Sequence, residues 1–172
     1  MVTGLVLLPP RNAVLPAQTR TKGLPVQMSI FVKPGGPRAS VRPHGAKPGE
    51  RVAPGDALRF AVGAARAGHL SVWEEEGSGR LVQHFPIGGA PATRPWPAGP
   101  PRLLPGSLVL DESAGPSRFA AVLCEEPLEP EPLRNAVAQI LSRIDAPVGS
   151  APAETDSCVG MVFELKKASG GG

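Results

Sequence analysis

The sequence predicts a mainly β protein: an antiparallel β-sandwich, immunoglobulin-like in architecture, with one C-terminal α-helix before the last strand. Two observations predict it. Short runs in which apolar and polar residues alternate recur along the chain, and glycines and prolines separate them at intervals of roughly eight to twelve residues. Only one segment has helical periodicity, so the strand–helix alternation of a parallel α/β enzyme is missing.

Length and composition limit the class further. The chain has 172 residues, 41% of them hydrophobic, with 21 glycines and 22 prolines that separate apolar runs rather than cluster. No apolar run reaches the roughly 20 residues that span a bilayer. Composition therefore excludes a membrane span, a collagen, a coiled coil and a large multidomain enzyme. We expect a single domain over 24–167, a disordered tail over 168–172, and a linker or truncated membrane-proximal segment over 1–23.

The first predicted strand is Val26–Lys33, in which the apolar residues Val26, Met28, Ile30 and Val32 fall on one face. A Pro-Gly-Gly-Pro turn ends it. The clearest local signal is a β-hairpin, whose arms flank a polar turn with two glycines at 74–79. The predicted strands cover 26–33, 57–62, 69–73, 80–85, 107–110, 118–124 and 159–165.

One amphipathic helix is predicted between these strands. Its apolar residues follow the spacing i, i+4, i+7, i+8 and i+11, which makes a single stripe of Leu133, Val137, Ile140, Leu141 and Ile144. Pro132 suits the first helical turn and Pro147 lies beyond the end. We expect the helix to pack across one sheet face or to close one end of the sandwich.

The segment 86–105 contains seven prolines and is predicted to be irregular, wrapping the surface or an end of a sheet. Loops on a rigid scaffold often carry the binding residues of a protein. Trp96, a large side chain in this segment, is therefore the predicted partner-binding residue, together with Arg94 and Arg102. The partner is expected to be a protein that the sequence does not identify.

Charge is distributed unevenly along the chain. The first 50 residues carry seven basic residues and one acidic residue, although the net charge of the whole chain is only +3. These basic residues stand singly among prolines and glycines, without the interleaved aromatic residues that stack on bases. We therefore expect a solvated surface and no nucleic-acid partner.

A search for catalytic or metal-binding residues finds no complete set. His69 and His84 lie on the two arms of the predicted hairpin and are weak candidates for a metal pair, but no thiol or carboxylate is placed beside them in sequence. The carboxylate runs 74–76 and 125–126 are expected to be solvated turns, because adjacent strand residues point to opposite faces. A nucleophile elbow and a phosphate-binding loop are both missing. We expect no metal, no cofactor and no enzymatic activity.

The two cysteines, Cys124 and Cys158, each lie in an apolar, strand-like run. Two thiols without nearby histidines cannot make a four-ligand zinc site. If their strands are neighbours, a disulfide is feasible. Otherwise both are buried free thiols in a cytosolic core. Spacing alone leaves both alternatives open.

Several phrases, taken in order, resemble the domain of unknown function numbered 4384, in the form found as the C-terminal extracytoplasmic part of myxobacterial anti-sigma-factor-like proteins. They are RTKG at 20–23, IFVK at 30–33, VAPGDALRF at 52–60, AGHLSV at 67–72, LPGS at 104–107, LD at 110–111, FAAVLCEEPL at 119–128 and a closing strand begun by Cys158. The resemblance implies a disulfide between Cys124 and Cys158 and an extracytoplasmic (periplasmic) location with a membrane tether in full-length relatives. It assigns no catalytic residue.

This chain departs from that pattern because it lacks the N-terminal zinc-binding anti-sigma segment and a complete membrane helix. Contact with a membrane is therefore expected only through a missing N-terminal segment, and a cytoplasmic location stays open. The expected function is a non-enzymatic sensory or protein-interaction module. The alternatives are a structural subunit that assembles through a sheet edge and, less favoured, a hydrolase with an unrecognised site around His69, His84 and residues 74–76.

Overall fold

Besides a short 3₁₀ helix at Gly36–Arg38, twelve strands and one α-helix form the regular structure in the computed structural model, which describes residues 25–88, 91–112, 115–143 and 150–168. In chain order they are β1 (Val26–Lys33), β2 (His44–Gly45), β3 (Arg51–Val52), β4 (Ala57–Ala64), β5 (Gly68–Glu75), β6 (Leu81–Phe85), β7 (Arg94–Trp96), β8 (Gly99–Leu103), β9 (Leu108–Val109), β10 (Gly115–Cys124), α1 (Pro130–Ser142), β11 (Ser150–Glu154) and β12 (Cys158–Lys167). The predicted segment 1–23, the helix residue Ile144, Pro147 and the tail residues 169–172 lie outside the described residues.

The strands form two sheets. The first has the order β2-β1-β4-β8, with β9 also pairing with β4, and all of its pairs are antiparallel. The second has the order β11-β12-β10-β5-β6, with β7 also pairing with β5 and β3 running parallel to β12. The prediction of a mainly β, sandwich-like fold is therefore confirmed.

The main hydrophobic core lies between the two sheets. In β1 the predicted alternation is confirmed, since Val26, Met28, Ile30 and Val32 are buried and the residues between them are not. Their counterparts from the second sheet include the fully buried Phe119 of β10, and both sets belong to one apolar cluster. Alternation in each sheet thus buries one face against the other.

A second core lies on the outer face of the second sheet, where α1 packs. The predicted helical stripe is buried there through Leu133, Val137, Ile140 and Leu141, against sheet residues such as Trp73. A Cβ on Gly160 of β12 would come within 2.8 Å of the Ile140 Cγ2 atom, so the absence of a side chain lets the helix approach the sheet. The molecule therefore has three layers, sheet on sheet on helix.

The prediction that 86–105 is irregular was wrong for residues 94–96 and 99–103, which form strands. The segment contains β7, which pairs with β5, and β8, which pairs with β4. Both are edge strands, where a proline's missing N–H does not interrupt the ladder, so Pro95 in β7 and Pro100 and Pro101 in β8 are tolerated. Alternation could not reveal such short, proline-containing strands.

Two strands rather than one follow the helix. β11, which pairs antiparallel with β12, was not predicted because it is short and contains Pro152.

No helix among the described residues is long and apolar enough to cross a membrane.

Candidate functional site: a cleft between the sheet edges

A cleft of about 250 Å³ opens on the side of the sandwich where β6 ends one sheet and β8 and β9 lie at the edge of the other. The first sheet side contributes Phe60, Leu104 and Leu108 to its walls, and the second contributes Val72 and Phe85. The polar residues Gln83, His84 and Ser107 and the loop residues Ile87, Gly88, Pro105 and Gly106 complete the lining. The cleft is therefore an extension of the main core to the surface.

A β-bulge interrupts β6 beside this cleft. In the β5–β6 ladder Val72 pairs with Phe85 and Trp73 pairs with Gln83, so His84 has no partner in the register. A bulge breaks the alternation of a strand and redirects its side chains. As a result the consecutive residues Gln83, His84 and Phe85 all line the cleft.

His84 is bound to a buried carboxylate. The His84 Nε2 atom lies 2.8 Å from Oε2 of Glu74, and Glu74 is only 3% exposed. The other carboxylate oxygen, Oε1, accepts a hydrogen bond from the Ser117 hydroxyl at 2.8 Å and lies 3.0 Å from the Lys167 Nζ atom. Lys167 in turn lies 3.5 Å from Asp111. We call Glu74, His84, Ser117 and Lys167 the charge network.

This network keeps Glu74 ionised. Burial by itself raises the pKa of Glu74, but hydrogen bonds from His84, Ser117 and Lys167, together with the Lys167 charge, lower that pKa to about 2. A carboxylate that accepts from all three groups fixes the direction of the bond to the imidazole: Nε2 carries the proton and donates it. In the neutral ring Nδ1 is then a hydrogen-bond acceptor.

The charge network does not have the arrangement of a hydrolytic triad. In a serine–histidine–carboxylate triad the serine hydroxyl donates to the histidine, which then acts as its base. Here Ser117 and His84 both bind to Glu74, one on each carboxylate oxygen. The geometry therefore leaves Ser117 without a contact to a histidine base, and its hydroxyl donates instead to a carboxylate whose pKa is lowered.

The two histidines suggested as a metal pair do not face each other. His69 pairs with Pro95 of β7 and Cys124 of β10, whereas His84 is the bulged residue of β6. Within the parts of the chain that the structure describes, no group of three or more histidine, cysteine or acidic side chains could hold a metal ion.

The predicted partner-binding residues lie on the same side of the sandwich as the cleft. Trp96 of β7 is half-buried, and its ring packs edge-on against the Phe85 ring, with the ring centroids 6.0 Å apart. Phe85 is itself a wall of the cleft. Arg94 on β7 and Arg102 on β8 are exposed. Their role in binding stays a prediction.

Cys124 and Cys158 form a disulfide. They are direct partners in the β10–β12 ladder, with their Cα atoms 4.1 Å apart and their sulfur atoms joined at 2.11 Å. Both residues are buried in the second core, between the sheet and the helix. Of the two alternatives that spacing left open, the structure has the disulfide, which is typical of proteins in oxidising compartments.

The expectation that residues 74–76 form a solvated turn was wrong for Glu74, which belongs to β5 and is buried. A signal for this was present in the sequence. Leu70, Val72 and Glu74 follow one another at period two, so Glu74 continues the inward-facing set of its strand. Its partners Ser117 and Lys167 could not be predicted, because they come from distant strands.

Comparisons of the chain with protein-family models, with curated proteins and with solved structures found no match.

Proposed function

We propose that the chain is a non-enzymatic sensory or protein-interaction module, and that its protein partner binds at the segment 86–105 and the cleft beside it. The exposed apolar side chains carry this proposal. Ile87, at 64% exposure, lines the cleft, and the exposed Leu103 and Val109 adjoin the lining residues Leu104 and Leu108 in sequence. Exposed apolar groups gathered around a concave site are typical of interaction surfaces.

The ionisable side chains Glu74 and His84 at the cleft are already hydrogen-bonded to each other, which supports a binding role rather than a catalytic one. A general base needs a free position within hydrogen-bond reach of the proton that it removes. Both oxygens of Glu74 are occupied by groups of the protein, so Glu74 offers no such position. The acceptor that remains on His84, Nδ1, contacts no serine, threonine or cysteine nucleophile among the described residues, since the Ser117 hydroxyl donates to Glu74. This favours a charge network whose role is to hold the walls of a binding site in place.

The disulfide supports an extracytoplasmic place of action, since structural disulfides persist mainly in oxidising compartments. The resemblance to the domain of unknown function numbered 4384 suggests the same location, because that domain occurs on the outer side of the membrane in anti-sigma-factor-like proteins. From the same resemblance we also propose an immunoglobulin-like architecture for the two sheets. We further propose that the module signals to whatever is joined to its N-terminus.

Chemical cross-linking in the native host, followed by mass spectrometry of the proteins attached to the tagged chain, tests the proposal. We expect Trp96→Ala and Ile87→Ala to reduce capture of the partner. Val41→Ala is the matched control, because Val41 is similarly exposed but does not line the cleft and precedes β2, which lies at the opposite edge of the first sheet from β8. Ile87→Ala keeps the test valid if Trp96→Ala, which loses the Phe85 contact, is less stable. Capture that is equal in all four proteins would contradict the proposal.

A structural subunit is the second candidate, and the edge position of β6 favours it. Among the described strands β6 pairs only with β5, so its other edge is open to a neighbouring chain. Sedimentation equilibrium distinguishes the two functions. A mass that rises with protein concentration, and that a Val82→Pro substitution in β6 returns to the monomer value, would support assembly.

A further inference from the structure

The two polar residues that β6 contributes to the cleft, Gln83 and His84, have their side-chain donors bound within the protein, which leaves acceptor atoms on both. The two amide hydrogens of Gln83 are directed to the Phe85 carbonyl at 3.2 Å and the Ala92 carbonyl at 2.7 Å. This orientation of the amide leaves its Oε1 atom as an acceptor. The bond from His84 Nε2 to Glu74 leaves Nδ1 as the acceptor of that ring.

The His84 Nδ1 atom has no hydrogen-bond partner among the residues that the structure describes, although the side chain is only 17% exposed. A shielded acceptor without a partner lowers the free energy of binding for any ligand that donates to it. The imidazole ring is also held in place, because it stacks on Phe60 with an interplanar angle of 13° and contacts Phe119. The acceptor is therefore preorganised.

The size of the cleft limits what can occupy it. Its volume of about 250 Å³ lies below the roughly 300–1,000 Å³ of sites for drug-sized ligands. The walls are aromatic and aliphatic, with Phe60 and Phe85 on opposite sheets. One aromatic ring is the group that matches this volume and these walls.

We propose that the cleft binds a single aromatic ring that carries a hydrogen-bond donor, and that this ring is a tyrosine or tryptophan side chain of an extended partner segment. His84 Nδ1 accepts the hydrogen bond from the phenol or indole. The inference rests on the proposed function, since it identifies the anchor of the protein partner. The open edge of β6 lies beside the cleft and suits an extended segment, because an added strand pairs with such an edge.

Titration of the ¹⁵N-labelled chain with two matched small molecules tests the hydrogen bond. p-Cresol and 4-methylanisole differ only in that the methyl ether has no donor. We expect p-cresol to bind about tenfold more tightly, which corresponds to one hydrogen bond to a shielded acceptor. It should shift the amide signals of residues 83–85 and 104–108 and the ¹⁵N signal of His84 Nδ1. Equal affinities, or shifts confined to other residues, would overturn the inference.

Two variants test whether the preference for p-cresol over 4-methylanisole depends on His84. His84→Phe keeps an aromatic ring but removes the acceptor, so it should abolish the preference for p-cresol. His69→Phe, outside the cleft lining, is the control and should keep it. If His84→Phe does not fold, the Nδ1 signal in the unmodified chain still decides the question: it should shift with p-cresol and not with 4-methylanisole, which brings the same ring without a donor.

Peptides distinguish a partner's side chain from a free aromatic molecule. A blocked tripeptide with a central tyrosine should bind about tenfold more tightly than one with a central phenylalanine. If p-cresol binds and neither peptide does, the anchor role is overturned. Failure of the inference is separate from failure of the proposed function: capture that depends on Ile87 while p-cresol and 4-methylanisole bind equally refutes only the inference.

Discussion

Replacing Glu74 with glutamine tests whether the charge network beside the cleft stabilises the fold. Glutamine keeps the shape of the side chain but removes its charge, so the Lys167 ammonium, whose side chain is 6% exposed, loses its buried anionic partner. Asp111 remains near Lys167, but it is largely exposed. Removing one partner of a buried ion pair typically costs about 3–5 kcal/mol of unfolding free energy, and we expect a loss of about 3 kcal/mol at neutral pH.

The lowered pKa of Glu74 gives this stabilisation a characteristic pH dependence. The pKa falls from the ordinary value of 4.5 to about 2 in the folded protein. Such a difference corresponds to roughly 3 kcal/mol of unfolding free energy. Because the folded pKa lies below the unfolded pKa, the contribution is complete above about pH 5 and is lost as the pH falls to about 2. The Glu74→Gln variant lacks it at every pH.

Urea unfolding at a series of pH values measures both effects. The unfolding free energies of the unmodified chain and of Glu74→Gln should differ by about 3 kcal/mol at pH 7 and converge towards pH 2. Asp56, whose pKa is also lowered, is present in both proteins and cancels in the difference. Glu125→Gln is the control, because Glu125 is 60% exposed in its pair with Arg66 and should matter little. A difference that stays constant from pH 7 to pH 2 would refute the reasoning.

Two further predictions concern the second core. Replacing both Cys124 and Cys158 with alanine should lower the unfolding free energy measured by urea unfolding by about 4 kcal/mol, the value that the chain-entropy model gives for their sequence separation of 34. Thiol alkylation of the unmodified chain should label neither cysteine before reduction. Gly160→Ala should cost about 1–3 kcal/mol, because its Cβ meets Ile140, and should cost less in an Ile140→Ala background. Equal costs in both backgrounds would contradict the clash.

The parts of the fold that the sequence predicts are those decided by local patterns. β1 has one buried and one less buried face, so alternation identifies it, and α1 combines an apolar stripe with Pro132 in its first turn. The hairpin of β5 and β6 follows from its glycine-containing turn. In each case the information lies within a dozen neighbouring residues.

The candidate site depends on contacts that no local pattern contains. Ser117, which binds Glu74, is 43 residues away in sequence, and Lys167 comes from the last strand. The bulge at His84 depends on the register between β5 and β6. For the same reason spacing could not decide the state of Cys124, whose partner follows from the register of β10 and β12.

The charge network and the binding preference of the cleft are linked through the proton on His84. In Glu74→Gln the amide oxygen is expected to face the donors Ser117 and Lys167, which leaves the amide nitrogen to donate to His84 Nε2. The neutral imidazole must then carry its proton on Nδ1, which changes from an acceptor to a donor. The cleft of this variant should therefore lose its preference for p-cresol, because the oxygens of p-cresol and of 4-methylanisole can both accept a hydrogen bond from Nδ1. If the variant folds and still prefers p-cresol, Glu74 does not determine which nitrogen of His84 is available to a ligand.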